Sequence, residues 1–569
     1  MVSARAESCR FFREELKMQD KIKKLAGSLP CVLFAAWFSM SLWASEPVYP
    51  SNFRVVWVTG DASVACALAE WRSWESEALG CTPSAEVLEE LRVRLETALR
   101  VAGYVFARVE FPDASWAEGV LTVRVDCGRA GEFTIRRAGR HYTPRQVIAK
   151  LSGRSPGFNY AEFCRRLAAL NAGDLKVDVT LKPVYRDGRL AVDAEVEYTD
   201  HLPIHASLEL LNASAPEAKS PVQLRLGMQV LNLAKCDDTL SLHYLTNGDV
   251  GGEVNAAYGS YRLPLGEKWV WTAFGSWSDS SYDEIVRGLD LQGRGFSYGL
   301  QSEYELYADG RVRATAAFGW RVARTRTRLR LHSQSQALGS ATVSMPYVTL
   351  GYSEGALDGW GGCDFASLTF SGGHAGWLGA SDEDKFRAEG RGSGGDFWQV
   401  RASAARLQRL FAGEEHPGCY SLLLRLQGLC TSDAAPNAVR EYLGGYESVR
   451  GYREAEVSGD SLVAGTLELR TPLLENAAAC VTGPRWLPCG RLTAVFFADF
   501  GCVRSHDDGN QPANGRRRHQ ELLSAGAGLR LGLWRNFQAA ADYALPLCRH
   551  ASPDTPRHGR WHLALQLQF

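Results

Sequence analysis

Between Pro203 and Phe569, apolar and polar side chains alternate with a period of two in a series of runs, and this pattern limits the possible folds of the chain more than any other. In the run 311–322, one face carries Val312, Ala314, Ala316, Phe318, Trp320 and Val322, and the other carries Arg311, Arg313, Thr315 and Arg321. A period of two is typical of β-strands with one apolar and one polar face. The pattern therefore predicts an all-β region, either packed on a core or closed as a barrel in lipid.

Three observations favour the barrel. The alternation persists to the last residue, aromatic side chains stand near strand ends as at membrane interfaces, and runs of about ten residues match a tilted bilayer crossing. If residues 204–569 form 16 antiparallel strands, each strand with its connection takes about 23 residues, which is ordinary for such barrels. A soluble β-sandwich remains the alternative.

The final segment, "WHLALQLQF", strengthens the prediction of a barrel. Trp561, Leu563, Leu565, Leu567 and Phe569 share one face, whereas His562, Gln566 and Gln568 share the other. An apolar strand ending in an aromatic residue would be an adhesive edge in a soluble sandwich, but it has no free edge as the closing strand of a barrel.

Residues 53–198 instead predict two successive α+β units of about 75 residues each. From Phe53 to Cys127 the first unit reads strand, helix, helix, strand, strand. The first strand spans 53–58, one helix carries Leu88, Leu91, Leu95 and Leu99 on one face, and the last two strands span 103–112 and 119–128. The second has a strand over 131–139, a helix after Pro144, a helix over 160–171, and strands over 175–184 and 190–198.

Residues 1–44 predict a secretory signal peptide. Lysines at 21, 23 and 24 precede an apolar stretch from Leu29 to Trp43, and the small residue Ala44 follows. The stretch is short for a membrane anchor, which is the alternative. Because signal n-regions are brief, we expect translation to start at Met18.

One stretch of the β region departs from the alternation: "GGYESVRGYREAEVSGD", residues 444–460. Its glycines interrupt any strand pattern, and Arg450 stands among Val449, Gly451 and Tyr452. A merely solvated turn is the alternative to a functional loop.

With these motifs in view, the chain resembles the transporter subunit of two-partner secretion, the hemolysin secretion/activation (ShlB/FhaC/HecB) family of the POTRA-plus-barrel superfamily. Residues 91–133 resemble the first POTRA domain through "GYVFARVEFP" and "GVLTVRVDCG", and "RRLAALNAGDLKVDVTLKP" resembles the second. "GSYRLPLG" (259–266) and "LRTPLL" (469–474) resemble barrel segments of the same family.

The family resemblance gives the departing stretch a role. Val449, Arg450, Gly451 and Tyr452 match the VRGY motif of an extracellular loop that folds back into the barrel lumen, and Phe497, Asp499 and Gly501 match a motif of the facing wall. It implies that Arg450 pairs with Asp499 and that Phe569 belongs to the assembly signal. A loop in a wet pore is expected to lack an apolar core, so a forked guanidinium suits the attachment.

The resemblance implies two α+β POTRA domains, 51–128 and 129–203, followed by a transmembrane barrel over 204–569. It implies an outer-membrane transporter in a Gram-negative-type bacterium. Its periplasmic POTRA domains would capture an unfolded, β-helical exoprotein, and its barrel would conduct that client outward, as in type V secretion. Outer-membrane lipid and the barrel-assembly machinery are the other expected partners.

Two rival functions stay open. A factor that inserts other barrels usually carries more than two POTRA domains, and a passive porin would not need them. Only about eight residues separate Ala44 from Phe53, which argues against the N-terminal plug helix that family members often carry.

Other patterns favour no enzyme and no cofactor. "GYSEG" (351–355) fits a serine-hydrolase motif, but the sequence after the serine cannot form the required helix. Pro203 separates His201 from His205, so they are no helical ligand pair, and no convincing metal or phosphate site appears. A net charge of −1 argues against a nucleic-acid partner.

Fourteen cysteines leave room for disulfides in an oxidising periplasm. The closest candidate pairs along the sequence are Cys66 with Cys81 and Cys480 with Cys489. For each pair, free buried thiols are the alternative.

Overall fold

The structure is a computed structural model. It describes residues 53–59, 85–111, 121–152, 157–171, 173–186, 188–213, 222–247, 253–266, 268–286, 289–308, 311–331, 334–388, 393–410, 420–475, 490–506, 519–533, 536–548 and 558–569. The predicted signal peptide (1–44) lies outside these ranges, and so do all four cysteines of the candidate disulfides: Cys66, Cys81, Cys480 and Cys489.

The chain folds as two compact units. The first comprises the described residues up to Glu132 together with Gly153–Ala161 and Lys182–Asp193, and the second comprises Phe133–Ser152, Glu162–Leu181 and Ala194–Phe569. No helix among the described residues is long and apolar enough to cross a membrane.

Within its described residues, the first unit contains a three-stranded sheet covered by one helix. The sheet has the order β1 (Phe53–Thr59), β3 (Leu121–Asp126), β2 (Arg108–Glu110), and the helix α1 spans Ala85–Val101. Leu91, Leu95 and Leu99 recur every four residues, so they lie on one face of α1 and are buried with the strand residues Val123 and Val125.

Strand β2 is shorter than the predicted 103–112. The amide of Tyr104 donates to the carbonyl of Leu99 at 2.9 Å, and Gly103 has φ +97°, which ends α1 in a left-handed turn. This turn takes up the residues that alternation alone assigned to a strand.

A second three-stranded sheet has the order β4-β6-β5, with the strands β4 (Arg129–Arg137), β5 (Leu175–Arg186) and β6 (Arg189–Asp200). Two helices accompany it, α2 (Pro144–Leu151) and α3 (Tyr160–Asn171). Thr143 caps α2 through a reciprocal contact with Gln146, and Pro144 occupies the first turn, where its missing N–H costs nothing. The two helices and two strands predicted from Pro144 onward are all present.

Sixteen antiparallel strands form a closed barrel, as the sequence predicts. The first eleven are β7 (Ile204–Leu211), β8 (Gln223–Leu231), β9 (Thr239–Asn247), β10 (Val254–Leu265), β11 (Trp269–Val286), β12 (Leu289–Ala308), β13 (Val312–Leu331), β14 (Gln334–Glu354), β15 (Gly362–Gly373), β16 (Phe397–Leu410) and β17 (Tyr420–Thr431). Two short strands outside the ring follow, β18 (Glu441–Leu443) and β19 (Val457–Gly459).

The last five barrel strands are β20 (Ser461–Glu475), β21 (Gly490–Arg504), β22 (His519–Leu533), β23 (Phe537–Pro546) and β24 (Arg560–Gln568). Strand β24 pairs with β7 and so closes the ring.

The apolar faces of these strands point outward. Phe318 and Trp320 of β13 are exposed, and so are Trp561 and Phe569 at the two ends of β24. The polar face lines the interior, the arrangement expected of a barrel in lipid.

Strands β11 to β14 are 18 to 21 residues long, about twice the predicted length. The β12–β13 pairing continues through Arg324, Arg326 and Arg328, where both faces are polar. A bilayer crossing needs only about ten residues. The apolar face from which strands are predicted therefore ends where these strands leave the lipid, although the strands themselves continue.

We name the barrel end where β7 begins the entry rim and the opposite end the far rim. Within the second unit, the β8–β9 turn at the entry rim contacts α2. Gln146 donates to the side-chain oxygen of Asn232 at 2.6 Å, and Lys150 pairs with Asp237 at 2.5 Å. Asn232 and Asp237 both have positive φ, 57° and 64°, which folds the turn against the helix.

Candidate functional site

Between β17 and β20 the chain leaves the far rim and turns back into the barrel. This segment, residues 432–460, is here called the inner loop. It contains a short 3₁₀ helix (Asn437–Val439) and the hairpin of β18 with β19. Gly444 and Gly445 have φ of +115° and +99°, values that a side chain would strain, so the glycines permit the tight turn after β18.

The inner loop places Arg450 directly on Asp499 of β21. The Nε of Arg450 donates to Oδ2 at 2.8 Å, Nη2 donates to Oδ1 at 3.0 Å, and the Arg450 backbone amide donates to Oδ2 at 3.1 Å. Both side chains are buried, and that of Asp499 is 0% exposed. Two parallel charge-assisted bonds fix the direction of the guanidinium as well as its position.

Two further carboxylates share the same guanidinium. Its Nη1 donates to Asp542 of β23 at 3.1 Å and to Glu468 of β20 at 3.3 Å. Arg530 of β22 binds Asp542, and Arg470 binds Glu468 at 2.7 Å. Three arginines therefore face three carboxylates, so the buried group is balanced in formal charge. We call Arg450 with Asp499, Asp542 and Glu468 the anchor.

Phe497 and Tyr452 complete the surroundings of Arg450. The ring centroid of Phe497 lies 3.4 Å from the guanidinium carbon, a cation–π contact. The hydroxyl oxygen of Tyr452 lies 2.9 Å from the carbonyl of Leu523 and 3.0 Å from that of Cys548, which share its one proton, and it accepts from the amide of Leu523 at 3.2 Å. These contacts tie the loop to β22 and to the residues that follow β23.

Gly451 stands between Arg450 and Tyr452 in the sequence and has φ +90°. A Cβ on this residue would stand 3.2 Å from Ala544 of β23, so glycine allows the loop backbone to approach the wall. Its amide donates to Nε2 of His562 on β24 at 2.9 Å. The motif residues thus contact five consecutive strands, β20 to β24.

An apolar cluster holds the loop as well. Val449 and Tyr452 are buried with Leu443 and Val457 of the loop and with wall residues; these are Leu429, Leu462, Ala464, Val503 and Leu522. The expectation that the loop lacks an apolar core is therefore wrong. The inner faces of β20 to β22 carry enough small and aliphatic residues beside the anchor to bury it. Gly501 makes room, because a Cβ there would come within 2.9 Å of Val449.

Asp460 holds the point where the inner loop rejoins β20. Its carboxylate accepts from the amides of His506 and Ala435 at 2.8 and 3.2 Å, and Nε of Arg440 lies 3.6 Å away. The loop is therefore fixed both at its base and at its tip.

A second apolar cluster lies on the inner face of β14. Ala341, Val343 and Met345 point inward, where a barrel lining is ordinarily polar. They are covered by Phe386, from the short helix α4 (Glu383–Arg387) in the β15–β16 connection, and by Val439 of the inner loop. Two connections therefore fill the far end of the barrel together.

The structure brings together Val449, Arg450, Gly451, Tyr452, Phe497, Asp499 and Gly501. Phe569 lies apart from them, at the entry rim, where its amide donates to the Ala206 carbonyl at 2.8 Å. Sequence reasoning missed Glu468, Asp542 and His562. The available signal was their placement, since each occupies the inner face of a strand whose other face is apolar.

The candidate disulfides take no part in this arrangement. Cys66 and Cys81, like Cys480 and Cys489, lie outside the described residues, so both pairings stay predictions. Peptide mass mapping without reductant distinguishes each bond from a pair of free thiols. The cysteines within the described ranges are all free thiols; they are Cys127, Cys164, Cys236, Cys363, Cys430, Cys502 and Cys548.

Two further residues singled out by their chemistry lie apart from the anchor. Burial raises the pKa of Cys127, in the first unit, to about 12, so this thiol stays protonated and unreactive. Ser353 of the "GYSEG" stretch is the penultimate residue of β14, and a turn follows the strand.

Comparison with known proteins agrees with this architecture. Residues 192–531 match the profile of a family described as haemolysin secretion/activation protein ShlB/FhaC/HecB. CdiB from Escherichia coli superposes with a TM-score of 0.69 at 17% identity, covering 99% of this chain and 98% of that one. CdiB from Acinetobacter baumannii gives 0.64 at 14% identity with the same coverage. No curated protein sequence matches the chain.

Proposed function

The chain belongs to the haemolysin secretion/activation family ShlB/FhaC/HecB and is an outer-membrane transporter of two-partner secretion; from this premise we propose how it handles its client. The two α+β domains, 51–128 and 129–203, face the periplasm as POTRA domains. They capture the unfolded exoprotein, and the barrel over 204–569 conducts it outward. Folding of the client outside the cell gives the transfer its direction.

The observation that carries this proposal is the anchor. One guanidinium joins three carboxylates on three strands and so fixes a loop inside the barrel. We propose that this loop moves before a polypeptide passes. A multiply bonded arginine suits a part with two discrete positions, because its contacts are made together or lost together. We assign to the inner loop the role of a latch on the transport path.

Strand addition is the proposed mode of capture. The edges of the second sheet are β4 and β5. Strand β5 carries Lys176, Lys182 and Pro183, residue types that discourage pairing at an edge, whereas β4 has no proline. We therefore assign the β4 edge to the client, which would be held by main-chain hydrogen bonds.

Two of the proposed partners, the barrel-assembly machinery and outer-membrane lipid, act when the barrel is inserted into the membrane. We propose that Phe569 belongs to the signal that the barrel-assembly machinery reads. Its side chain is exposed beside the last backbone pair with β7. The apolar outer face then meets outer-membrane lipid. A β-helical exoprotein is the client class that the family membership favours, and the proposal assigns the chain no chemical reaction.

The proposal is tested by secretion at matched outer-membrane levels. Cells expressing the chain with a candidate β-helical exoprotein are compared with cells carrying Arg450→Ala, Arg450→Lys or Arg425→Ala. Arg425 is an arginine of β17 that stands outside the anchor. We expect cells with Arg450→Ala to secrete poorly. Arg450→Lys should recover only part of the secretion, because an ammonium cannot form both parallel hydrogen bonds to Asp499. Arg425→Ala should secrete normally.

Secretion at the wild-type rate by Arg450→Ala would refute the role of the latch. Absence of the exoprotein from the medium of wild-type cells, with the barrel correctly inserted, would refute the assignment of that client.

A further inference from the structure

His562 stands on the barrel wall as a hydrogen-bond acceptor for the inner loop. Its side chain is buried at 1% exposure on β24, the strand that closes the ring. Nε2 accepts from the amide of Gly451 at 2.9 Å, and the ring lies 6.1 Å from that of Tyr446. The imidazole therefore contacts the loop on both sides of Arg450.

The direction of the bond from Gly451 fixes the protonation state of the His562 imidazole. A backbone amide can only donate, so Nε2 must offer its lone pair, and a neutral imidazole then carries its proton on Nδ1. Within the described part of the chain, Nδ1 has no hydrogen-bond partner. A positively charged imidazole would place a proton on Nε2 that points at another proton, so it could not hold Gly451.

The surroundings make that state costly in a second way. The charged groups that face the ring are Arg450 of the loop, Asp499 of β21, Asp542 of β23 and Arg560 of β24 itself. The carboxylates of Asp499 and Asp542 are already bound by Arg450 and Arg530. An imidazolium would stand among occupied carboxylates and beside two guanidinium groups.

We infer that His562 is a positioning residue of the latch, which holds Gly451 only while its imidazole is neutral and releases the loop backbone when it is protonated. The functional meaning of this inference rests on the proposed role of the inner loop. The bond itself is independent of any client, so the two can be tested separately.

Hydrogen–deuterium exchange of the purified full chain in detergent tests the inference. Exchange of peptides covering residues 444–460 is measured, with correction for the intrinsic rate, between about pH 7.5 and pH 3.5, so that the range reaches well below the ordinary pKa of imidazole. The variants are His562→Gln, whose side-chain oxygen can accept at a comparable reach, and His562→Ala, which cannot accept. Gln566→Ala, on the same inner face of β24, is the matched control.

At neutral pH we expect His562→Gln and Gln566→Ala to protect the Gly451 amide like the wild type, and His562→Ala to lose about tenfold, the equivalent of one ordinary hydrogen bond. On acidification the wild type should lose protection while His562→Gln keeps it. Equal protection of His562→Ala and wild type would overturn the positioning role. Identical acid losses in wild type and His562→Gln would overturn the protonation step, and that comparison decides the matter even if His562→Ala does not fold.

Discussion

At the scale of single residues, Arg450 holds the inner loop through the placement of its guanidinium among three carboxylates. Arg450 donates to Asp499, Asp542 and Glu468, and nearly every direction around it is occupied. Removing it would leave the buried carboxylate of Asp499 without its arginine, whereas Asp542 and Glu468 keep Arg530 and Arg470. Loss of one partner from a buried ion pair typically costs about 3–5 kcal/mol. The inner loop would lose stability first, because the strands of the wall stay paired by their backbone hydrogen bonds.

Asp200, at the end of β6, fixes the entry to α2. Burial alone raises the pKa of its carboxyl, but the amides of Arg140, Tyr142 and His141 donate to it and hold the pKa below its ordinary value. Because the folded pKa is lowered, this contribution to stability is present above about pH 4 and is lost as the pH falls through the folded value.

We therefore predict that Asp200→Asn destabilises the second α+β domain by about 2 kcal/mol at neutral pH, since one oxygen of the amide cannot replace a carboxylate with three donors. Urea denaturation of the full chain, followed by proteolysis of that domain, measures the loss. It should shrink as the pH is lowered below about 4. Asp178→Asn, at an exposed residue on β5, should change little. A loss independent of pH would contradict the electrostatic account.

The sequence predicted this site unevenly at the residue scale. Arg450 and Asp499 were found because both lie in short recognisable motifs. Glu468, Asp542 and His562 are single residues in alternating strands, and only the register of β20 to β24 brings them to one point. Register depends on pairing along the whole barrel, so no local pattern contains it.

At the scale of elements, the two connections at the far end are held by an apolar patch. Phe386 of α4 is 1% exposed against Val343 and Met345 of β14. A helix of five residues has little stability of its own, so its position depends on this one ring.

Phe386→Ala should therefore free α4 from the wall, at a cost of about 3 kcal/mol for the lost ring. The expected result is a larger conductance in planar lipid bilayers, with the barrel still resistant to detergent. Trp377→Ala, an exposed residue of the same connection, serves as the control and should leave the conductance unchanged. An unaltered conductance in a Phe386→Ala protein with a mobile α4 would show that this connection does not obstruct the barrel.

Strand β4 offers the corresponding test for the α+β domains. Neighbouring residues of a strand point their amides to opposite edges, so proline at Phe133, Thr134 or Ile135 removes donors alternately from the β6 side and from the free side. We expect the variants that remain folded, judged by protease resistance, to assemble normally and to secrete little. Full secretion by every folded variant would exclude the β4 edge as the place of capture.

At the scale of the whole molecule, the sequence predicted most of the architecture. Alternation with period two indicates which face of each strand meets lipid, and the sixteen strands of the barrel are consistent with the length available. The length of β11 to β14 and the early end of the strand at β2 were not predictable in this way. Polar extensions carry no lipid-facing signal, and a glycine turn overrides a β-like composition.

The pairing that closes the ring also sets the order in which the molecule can form. The amide of Leu563 on β24 meets the side chain of Asn212, just after β7, across 351 residues of chain. Hairpin neighbours find each other within microseconds, but ends this far apart meet only after an unfavourable loss of chain entropy. Until then β7 offers an unsatisfied edge to any other strand in the periplasm. His562 and Asp542 lie on β24 and β23, which pair with each other as neighbours, so the wall strands that the inner loop contacts can form before the ring closes. We therefore expect this single late encounter to limit biogenesis, and the interval before it to be when the chain is most exposed to aggregation.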